Sequence, residues 1–280
     1  KILVAGTTAY PRILNWEKFY EIAEKVGAYL LCDISHIAGL IVGGAYPSPV
    51  NYSHIITTTT HKTLRGPRGA IIMVTKKGLI KDSLLPKKID RSVFPQLQGG
   101  PHINTIAGIG VALKEASKNS FKIYAKQIIN NAKALADTLS KQDFNLVSGG
   151  TDSHLILIDL SNYKILGNTA AEGLEEVGIV LNYNTVTFDP TPPFYPSGIR
   201  LGTPALTSRG MKEKEMVKIA GLISELTDAI SQTKKRLGVT REEEKKRKVR
   251  KQIIRNTKVI SDLKKEVLLL CKKFPVKKVY

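Results

Sequence analysis

The chain has 280 residues, of which 42% are hydrophobic, a composition typical of a globular protein that buries a core of its own. No apolar run approaches the roughly 18–20 residues of a membrane-spanning helix, which excludes an integral membrane protein of that kind. The formal net charge is +19, but residues 231–280 hold 18 of the 43 Lys and Arg and only 5 of the 24 Asp and Glu, so most of the excess belongs to the C-terminal tail.

Strand-like and helix-like segments alternate through the first hundred residues. A helix is predicted over 15–26, and strands are predicted over 1–5, 28–34, 54–60 and 70–75. This alternation predicts a parallel sheet covered on both faces, with catalytic side chains at the carboxyl ends of the strands.

The second part of the chain mixes long helices with short strands. Helices are predicted over 105–139, with a break at 117–120, and over 169–176 and 211–235. Strands are predicted over 145–147, 154–160, 180–182 and 198–201. We therefore expect a second, α+β domain that begins near residue 114. It is followed by a mostly basic run, 241–250, and an amphipathic segment, 259–271.

Lys62 lies just past a predicted strand, within the segment 57–69 that contains four consecutive threonines, His61 and a glycine-rich turn. A lysine beside hydroxyls and a histidine suits Schiff-base chemistry, which needs an amine whose pKa is lowered by its surroundings. On spacing alone, a solvated surface charge is the favoured alternative.

Asp33 closes an apolar strand and should therefore be poorly solvated and in need of a partner. In a pyridoxal phosphate (PLP) site, a carboxylate at this place keeps the ring nitrogen protonated. His36, three residues later, could orient that carboxylate or contact the ring. A cap on the following helix is an equally good interpretation of Asp33 taken alone.

Arg200 is an arginine within an otherwise apolar strand and should pair with an anion, for which its planar fork suits a substrate carboxylate. A structural salt bridge is the favoured alternative. Gly99 and Gly100 form a turn whose backbone amides could meet phosphate oxygens.

Histidines and cysteines give no sign of a metal site. His54, His102 and His154 lack metal-ligand spacing, so we interpret them as structural residues. The two cysteines, Cys32 and Cys271, are too few for a disulfide framework, which favours a reducing, cytoplasmic compartment.

Taken together, five blocks of this chain resemble the serine hydroxymethyltransferase family, PLP enzymes of the aspartate aminotransferase fold type. In order along the chain, the blocks are 32–40, 57–69, 94–101, 147–152 and 197–210. The strongest match is the segment around Lys62, and the resemblance covers nearly all of 1–235 and again 267–275.

The resemblance implies roles for several residues near the cofactor. Lys62 would hold PLP covalently, and Asp33 would pair with its pyridine nitrogen. His36 and Thr8 would contact the phenolic oxygen of the cofactor and the substrate carboxylate region, with Thr8 standing where the family usually has Ser. His61 would stack beside the lysine and tune reaction specificity.

The resemblance also implies contacts with substrate and with a second subunit. Arg200 would bind the amino acid carboxylate, and Arg68 would lie near the active site. Gly99 and Gly100 match a turn that reaches the PLP phosphate of the neighbouring subunit, which implies a homodimer or tetramer with shared active sites. Three positions match residues around the folate: Asn184, Phe194 and Phe94.

The implied reaction is reversible transfer of the serine hydroxymethyl group to tetrahydrofolate, which gives glycine and 5,10-methylenetetrahydrofolate. PLP would be the cofactor and tetrahydrofolate the co-substrate, and no metal is implied.

The implied fold is α/β. Residues 1–113 would form the remainder of the PLP-dependent transferase large domain, a mostly parallel sheet with helices on both faces. Residues 114–280 would form a smaller α+β domain with an inserted basic segment near 238–258. The family's chain begins before Lys1, so we expect about a third of it to be absent and this chain alone to be an incomplete enzyme.

Two other interpretations remain open. A threonine aldolase shares the fold type, but the block 57–69 and the folate-side residues favour the hydroxymethyltransferase. A non-catalytic or split-chain homologue could use its basic tail to bind RNA or anionic surfaces. The tail contains Glu242–Glu244 and has no aromatic residue before Phe274, so a solvated helix face is favoured over nucleic acid or membrane binding.

Overall fold

The computed structural model describes residues 1–276, and the chain divides into two compact units. The large unit consists of residues 1–8 and 13–126, and the small unit consists of residues 9–12 and those from 127 onward. The division comes later than the domain boundary predicted near residue 114, and the domain assignment itself remains a prediction. Within the described part of the chain, no helix combines the length and apolarity needed to cross a membrane.

A four-stranded sheet lies at the centre of the large unit. In spatial order its strands are β1 (Ile2–Gly6), β2 (Tyr29–Asp33), β3 (Ile55–Thr59) and β4 (Ala70–Val74). β1, β2 and β3 are parallel, as predicted, whereas β4 is antiparallel to β3. The expectation of a parallel sheet was therefore wrong for β4. Only residues 60–69 connect β3 to β4, and a parallel crossover needs a dozen residues or more.

The helix predicted over 15–26 is confirmed. It runs over Trp16–Lys25, and the Asn15 side chain caps it by accepting a hydrogen bond from the Lys18 amide at 3.0 Å. Gly27, at φ +64°, then turns the chain toward β2. The helices that begin in the large unit are α1 (Trp16–Lys25), α2 (Ala38–Val42), α3 (Lys76–Lys81), α4 (Leu85–Arg91), α5 (Ile103–Ala116) and α6 (Asn119–Ser140).

His54 has a structural role, as we expected. It is buried directly before β3, and its Nδ1 accepts a hydrogen bond from the Leu30 amide at 2.8 Å. Its Nε2 lies 3.4 Å from a carboxylate oxygen of Glu24. Leu30 is the central residue of β2, so His54 ties the start of β3 to the middle of the sheet.

An antiparallel sheet forms the small unit's centre. In spatial order its strands are β5 (Asn145–Leu146), β6 (Leu155–Asp159), β8 (Gly198–Gly202) and β7 (Asn182–Asn184). The strand predicted over 180–182 starts later, because its pairing with β8 begins with Asn182 opposite Arg200. The helices of this unit are α7 (Gly167–Glu176), α8 (Pro204–Ser208), α9 (Glu213–Arg236), α10 (Arg241–Glu244), α11 (Arg247–Arg255) and α12 (Ile260–Lys273).

The core of the small unit lies between this sheet and the long helices. Ile158 and Ile199 on the sheet and Met216, Leu226 and Ile230 on α9 are fully buried in one apolar cluster. α12 adds Leu263 and Val267 to the same cluster. The predicted α+β character of this part of the chain follows from that packing.

Residues 9–12 belong to the small unit because Arg12 binds the segment 147–152. Its guanidinium donates to the Ser148 carbonyl at 2.7 Å and to the Asp152 carboxylate at 3.0 Å. Gly150 has φ +139°, and a Cβ there would lie 3.1 Å from the Arg12 Nη2 atom. The glycines of this block therefore give the backbone a shape that lets the guanidinium approach.

The basic tail is folded into the small unit rather than wholly solvated. Glu244 is fully buried, and its carboxylate accepts hydrogen bonds from Lys234 Nζ at 2.6 Å, Thr169 Oγ1 at 2.6 Å and the Leu166 amide at 2.9 Å. Arg250 is buried against Glu172 at 2.7 Å. The outer side of α11 does form a solvated basic face, at Arg247, Lys248, Lys251 and Arg255.

Replacement of Glu244 by Ala should strongly destabilise the small unit, because it leaves the Lys234 ammonium buried without its carboxylate. We expect the free energy of unfolding to fall by about 3–5 kcal/mol, measured by urea denaturation. Glu242→Ala is the control, since that side chain is 80% exposed and should change stability by less than about 0.5 kcal/mol. Equal effects of the two variants would contradict the role of the buried pair.

Candidate active site

Three strand ends meet at one edge of the large unit's sheet. Parallel pairing places Gly6 of β1 opposite Asp33 of β2, and Asp33 opposite Thr57 of β3. The segments that follow these strands therefore leave the sheet on the same side. They carry the predicted site residues Thr8, His36, His61 and Lys62, and Asp33 is the last residue of β2.

Gly6 allows β1 to lie close to the end of β2. A Cβ at this position would be 2.6 Å from the Asp33 carbonyl oxygen and 3.0 Å from the Asp33 Cβ. Any larger residue would push the two strands apart just where Asp33 is placed.

Asp33 is exposed, so the expectation of a poorly solvated carboxylate was wrong. It is the last residue of β2. Its sequence neighbours Cys32 and Ile34 are buried in the core, whereas its own side chain points to the opposite face of the strand. Its Oδ1 accepts a hydrogen bond from the Ser35 amide at 2.9 Å, so it orders the loop after the strand. Asp33 therefore caps the loop that follows β2 and not the N-terminus of α2, which begins at Ala38.

Lys62 is half-buried on the loop that follows β3. Its Nζ donates to the Thr59 hydroxyl at 3.0 Å, which holds the amine close to the strand end. The alternative of a freely solvated lysine does not match this placement.

His61, next to Lys62, has a buried Nδ1 atom with no hydrogen-bond partner in the described part of the chain. Burial, followed by the positive charges of Lys62 and Arg68, lowers the pKa of His61 below its ordinary 6.5. The imidazole is therefore neutral at pH 7, with an unused ring nitrogen beside the lysine.

Hydroxyl groups with no role predicted from the sequence connect the loop after β2 to the loop after β3. The Ser35 hydroxyl accepts from the Thr59 amide at 3.0 Å. The Thr63 hydroxyl donates to the His36 carbonyl at 3.0 Å and accepts from the Gly39 amide at 2.9 Å. The only sequence signal for this network is the density of Ser and Thr after β2 and β3.

Arg65 anchors the loop that carries Lys62. Its backbone has φ +60°, and its guanidinium lies 4.3 Å from the Tyr124 ring centroid and 5.5 Å from that of Phe121. Sequence reasoning missed this residue, because cation–π partners far apart in the chain leave no local pattern.

In the small unit, Arg200 is half-buried in the middle of β8, and burial lowers its pKa. Its Nη2 donates to the Asn182 side-chain oxygen at 3.2 Å. Asn184 lies on the same strand as Asn182, and its side-chain amide donates to the Thr185 carbonyl at 2.7 Å. The structure therefore brings Arg200 and Asn184 onto neighbouring strands.

The remaining predicted residues are on the surface. Arg68 is exposed in the turn after Lys62, and Phe94, Gly99 and Gly100 are exposed between α4 and α5. Phe194 is 81% exposed in the loop between β7 and β8. Among residues 1–276, no cluster of three or more His, Cys, Asp or Glu side chains is arranged to hold a metal ion.

The model of the family described as "Serine hydroxymethyltransferase" matches residues 1–223 of the chain. The chain belongs to the serine hydroxymethyltransferase family. A relative named serine hydroxymethyltransferase from Desulfotalea psychrophila (strain LSv54 / DSM 12343) is 48% identical over 275 residues, which is 98% of this chain and 57% of the relative. One of the same name from Acidothermus cellulolyticus (strain ATCC 43068 / DSM 8971 / 11B) is 54% identical over 231 residues, which is 82% of this chain and 52% of the relative.

The chain spans about half the length of the curated relatives it matches. The resemblance drawn from the five sequence blocks is thus confirmed for the family and the α/β fold.

The ring of His61 should titrate below pH 6.5 when followed by NMR. Because the pKa of His61 is lower in the folded chain than in the unfolded chain, the unfolded chain binds the proton more readily. The stability of the protein should therefore decrease as the pH falls below the ordinary histidine pKa of 6.5. Lys62→Gln removes the nearest charge and should move the midpoint upward, whereas Lys76→Gln, at an exposed position in α3, should not. A midpoint above 6.5 in the unmodified protein would contradict the described environment.

Proposed function

We propose that the whole protein transfers the hydroxymethyl group of serine reversibly to tetrahydrofolate, which gives glycine and 5,10-methylenetetrahydrofolate, with PLP as cofactor. The observation that carries the proposal is the group of side chains at the carboxyl edge of the parallel strands. Lys62, His61 and His36 lie on loops that leave the sheet at the edge where the Asp33 carboxylate stands. Membership of the family supports this reaction, because the family and the relatives are named for serine hydroxymethyl transfer.

The residues at this edge fit PLP. The Lys62 amine, on a strand-end loop, is complementary to the PLP aldehyde. The exposed Asp33 carboxylate is complementary to the pyridine nitrogen. The unpaired ring nitrogen of His61 is complementary to polar ring substituents. When bound, PLP supplies an electron sink for the negative charge left on the amino acid as its side-chain carbon departs.

The chain's own residues would orient and hold the reacting groups. Asp33 would hold a proton on the pyridine nitrogen, since Ser35 already orients its carboxylate. Lys62 would bind the cofactor covalently from the position that Thr59 gives its Nζ. His61 would stack beside it as a neutral ring, and His36 and Thr8 would contact the phenolic oxygen and the substrate carboxylate region.

The resemblance assigns substrate contacts to five further residues. Arg200 would bind the serine or glycine carboxylate, because its planar fork suits two carboxylate oxygens and its half-buried site weakens competition from water. Arg68 would add positive charge near the site. Asn184, Phe194 and Phe94 would contact tetrahydrofolate.

We also propose a cytoplasmic homodimer or tetramer in which Gly99 and Gly100 reach the PLP phosphate of the neighbouring subunit. The exposure of this turn supports the idea, since a Cβ at either glycine would meet no atom within 4 Å in the chain itself. Cys32 and Cys271 are both free thiols, as in proteins of a reducing compartment.

The proposal can be tested by reducing the isolated protein with borohydride in the presence of its cofactor, followed by digestion and mass spectrometry. We expect the cofactor to be attached to the peptide that contains Lys62. Lys62→Ala should lose the attachment and lower serine turnover with tetrahydrofolate by about a thousandfold or more. Lys87→Ala, which removes an exposed lysine from α4, is the matched control.

Other results of this test would point elsewhere. A label on a different lysine would overturn the role of Lys62. Cleavage of threonine without need for tetrahydrofolate would favour the aldolase interpretation. Lack of any PLP binding by the whole protein would favour the non-catalytic homologue.

Shared active sites predict that two inactive variants restore each other. Lys62→Ala and Gly99→Glu would each be inactive alone, but mixed dimers would contain one intact site with both functional elements. After joint refolding we expect about a quarter of wild-type activity, because half of the dimers are mixed and each has one intact site. No recovery, despite mixed dimers seen by native mass spectrometry, would contradict sharing.

A further inference from the structure

The loop 185–197, between β7 and β8, is organised around one carboxylate. Asp189 Oδ1 accepts from Thr191 Oγ1 at 2.6 Å and Ser197 Oγ at 2.8 Å, and Oδ2 accepts from the Ser197 amide at 2.8 Å. Burial alone would raise the pKa of Asp189, but these hydrogen bonds outweigh it and lower the pKa to about 2. The loop therefore keeps a charged acceptor at neutral pH.

Helix α10 reaches the end of this loop through Arg241. The Arg241 Nη2 atom donates to Ser197 Oγ at 2.7 Å, and that hydroxyl in turn donates to Asp189. Ser197 is fully buried, so its hydroxyl has a defined orientation between the two partners. Lys245 makes a second contact, with its Nζ 5.8 Å from the Tyr195 ring centroid.

α10 is itself fixed to the small unit by a buried residue. Its last residue, Glu244, is the fully buried carboxylate that accepts from Lys234, Thr169 and the Leu166 amide. Movement of α10 would separate this buried charge pair, which is costly. Arg241 is therefore presented to the loop from a rigid support, and that support lies beyond residues 1–223 matched by the family model.

We propose that Arg241 is a positioning residue for tetrahydrofolate, acting through Ser197 on the loop that carries Phe194; this inference rests on the proposed function. The serine carboxylate should depend on it much less. Arg200 lies in β8, which is paired on both sides, with β6 and β7, whereas Phe194 lies outside any strand. Loss of Arg241 should therefore loosen the loop that carries Phe194 and leave Arg200, in β8, in place.

The test compares Arg241→Ala with the unmodified protein, loaded with PLP, by two independent measurements. Hydrogen exchange should be about three- to tenfold faster at the Thr191 and Ser197 amides, as expected when one hydrogen bond that orders them is lost. The KM for tetrahydrofolate should rise by a similar factor, while the KM for serine and kcat stay within about twofold.

Three further variants separate positioning from charge and from general stability. Arg247→Ala removes the same charge from an exposed site six residues later and should leave exchange and both KM values unchanged. Ser197→Ala removes the hydroxyl through which Arg241 acts, so Arg241→Ala should add little in that background. Arg241→Lys, which keeps a donor, should recover part of the tetrahydrofolate affinity.

Each result decides a different step. Unchanged exchange in Arg241→Ala would overturn the restraint of the loop. Faster exchange with an unchanged tetrahydrofolate KM, or an equal rise in both KM values, would overturn the role in folate positioning. If the unmodified protein does not turn over serine with tetrahydrofolate, the proposed function fails and the folate role with it, and the exchange comparison alone then decides whether Arg241 restrains the loop.

Discussion

The parallel pairing of β1, β2 and β3 is the constraint on which the candidate site depends. Because the three strands run in the same direction, their carboxyl ends share one sheet edge, and the residues after them must lie together. The close approach at Gly6 sets the separation at the Asp33 end. β4 turns back antiparallel, so the loop with Lys62 stays short and remains at this edge.

Hydrogen bonds from Ser and Thr side chains then convert strand ends into a defined site. Ser35 and Thr63 join the loop after β2 to the loop after β3, and Thr59 holds the Lys62 amine. Backbone amides in such loops have no strand partner, and buried ones need an acceptor. The short hydroxyl side chains supply it without adding charge near the lysine.

Charge is used differently in the tail. Although residues 231–280 account for much of the excess positive charge, the contacts that hold α10 and α11 to the small unit include ion pairs made by Glu244 with Lys234 and by Arg250 with Glu172. A buried pair of this kind is a weak source of net stability, but separating its two charges is costly, which disfavours other arrangements of its helices. That rigidity is what lets α10 restrain the loop beside β8.

Sequence alone determined the family, the α/β character and most strands and helices to within a few residues, because periodicity and the block around Lys62 are local patterns. Tertiary structure decided the antiparallel β4, the exposed Asp33, the anchoring of Arg65 by Tyr124 and Phe121, and the burial of Glu244 in a run that looked solvated. Each of these depends on partners distant in the chain, and a single sequence holds no local signal for which partners will meet.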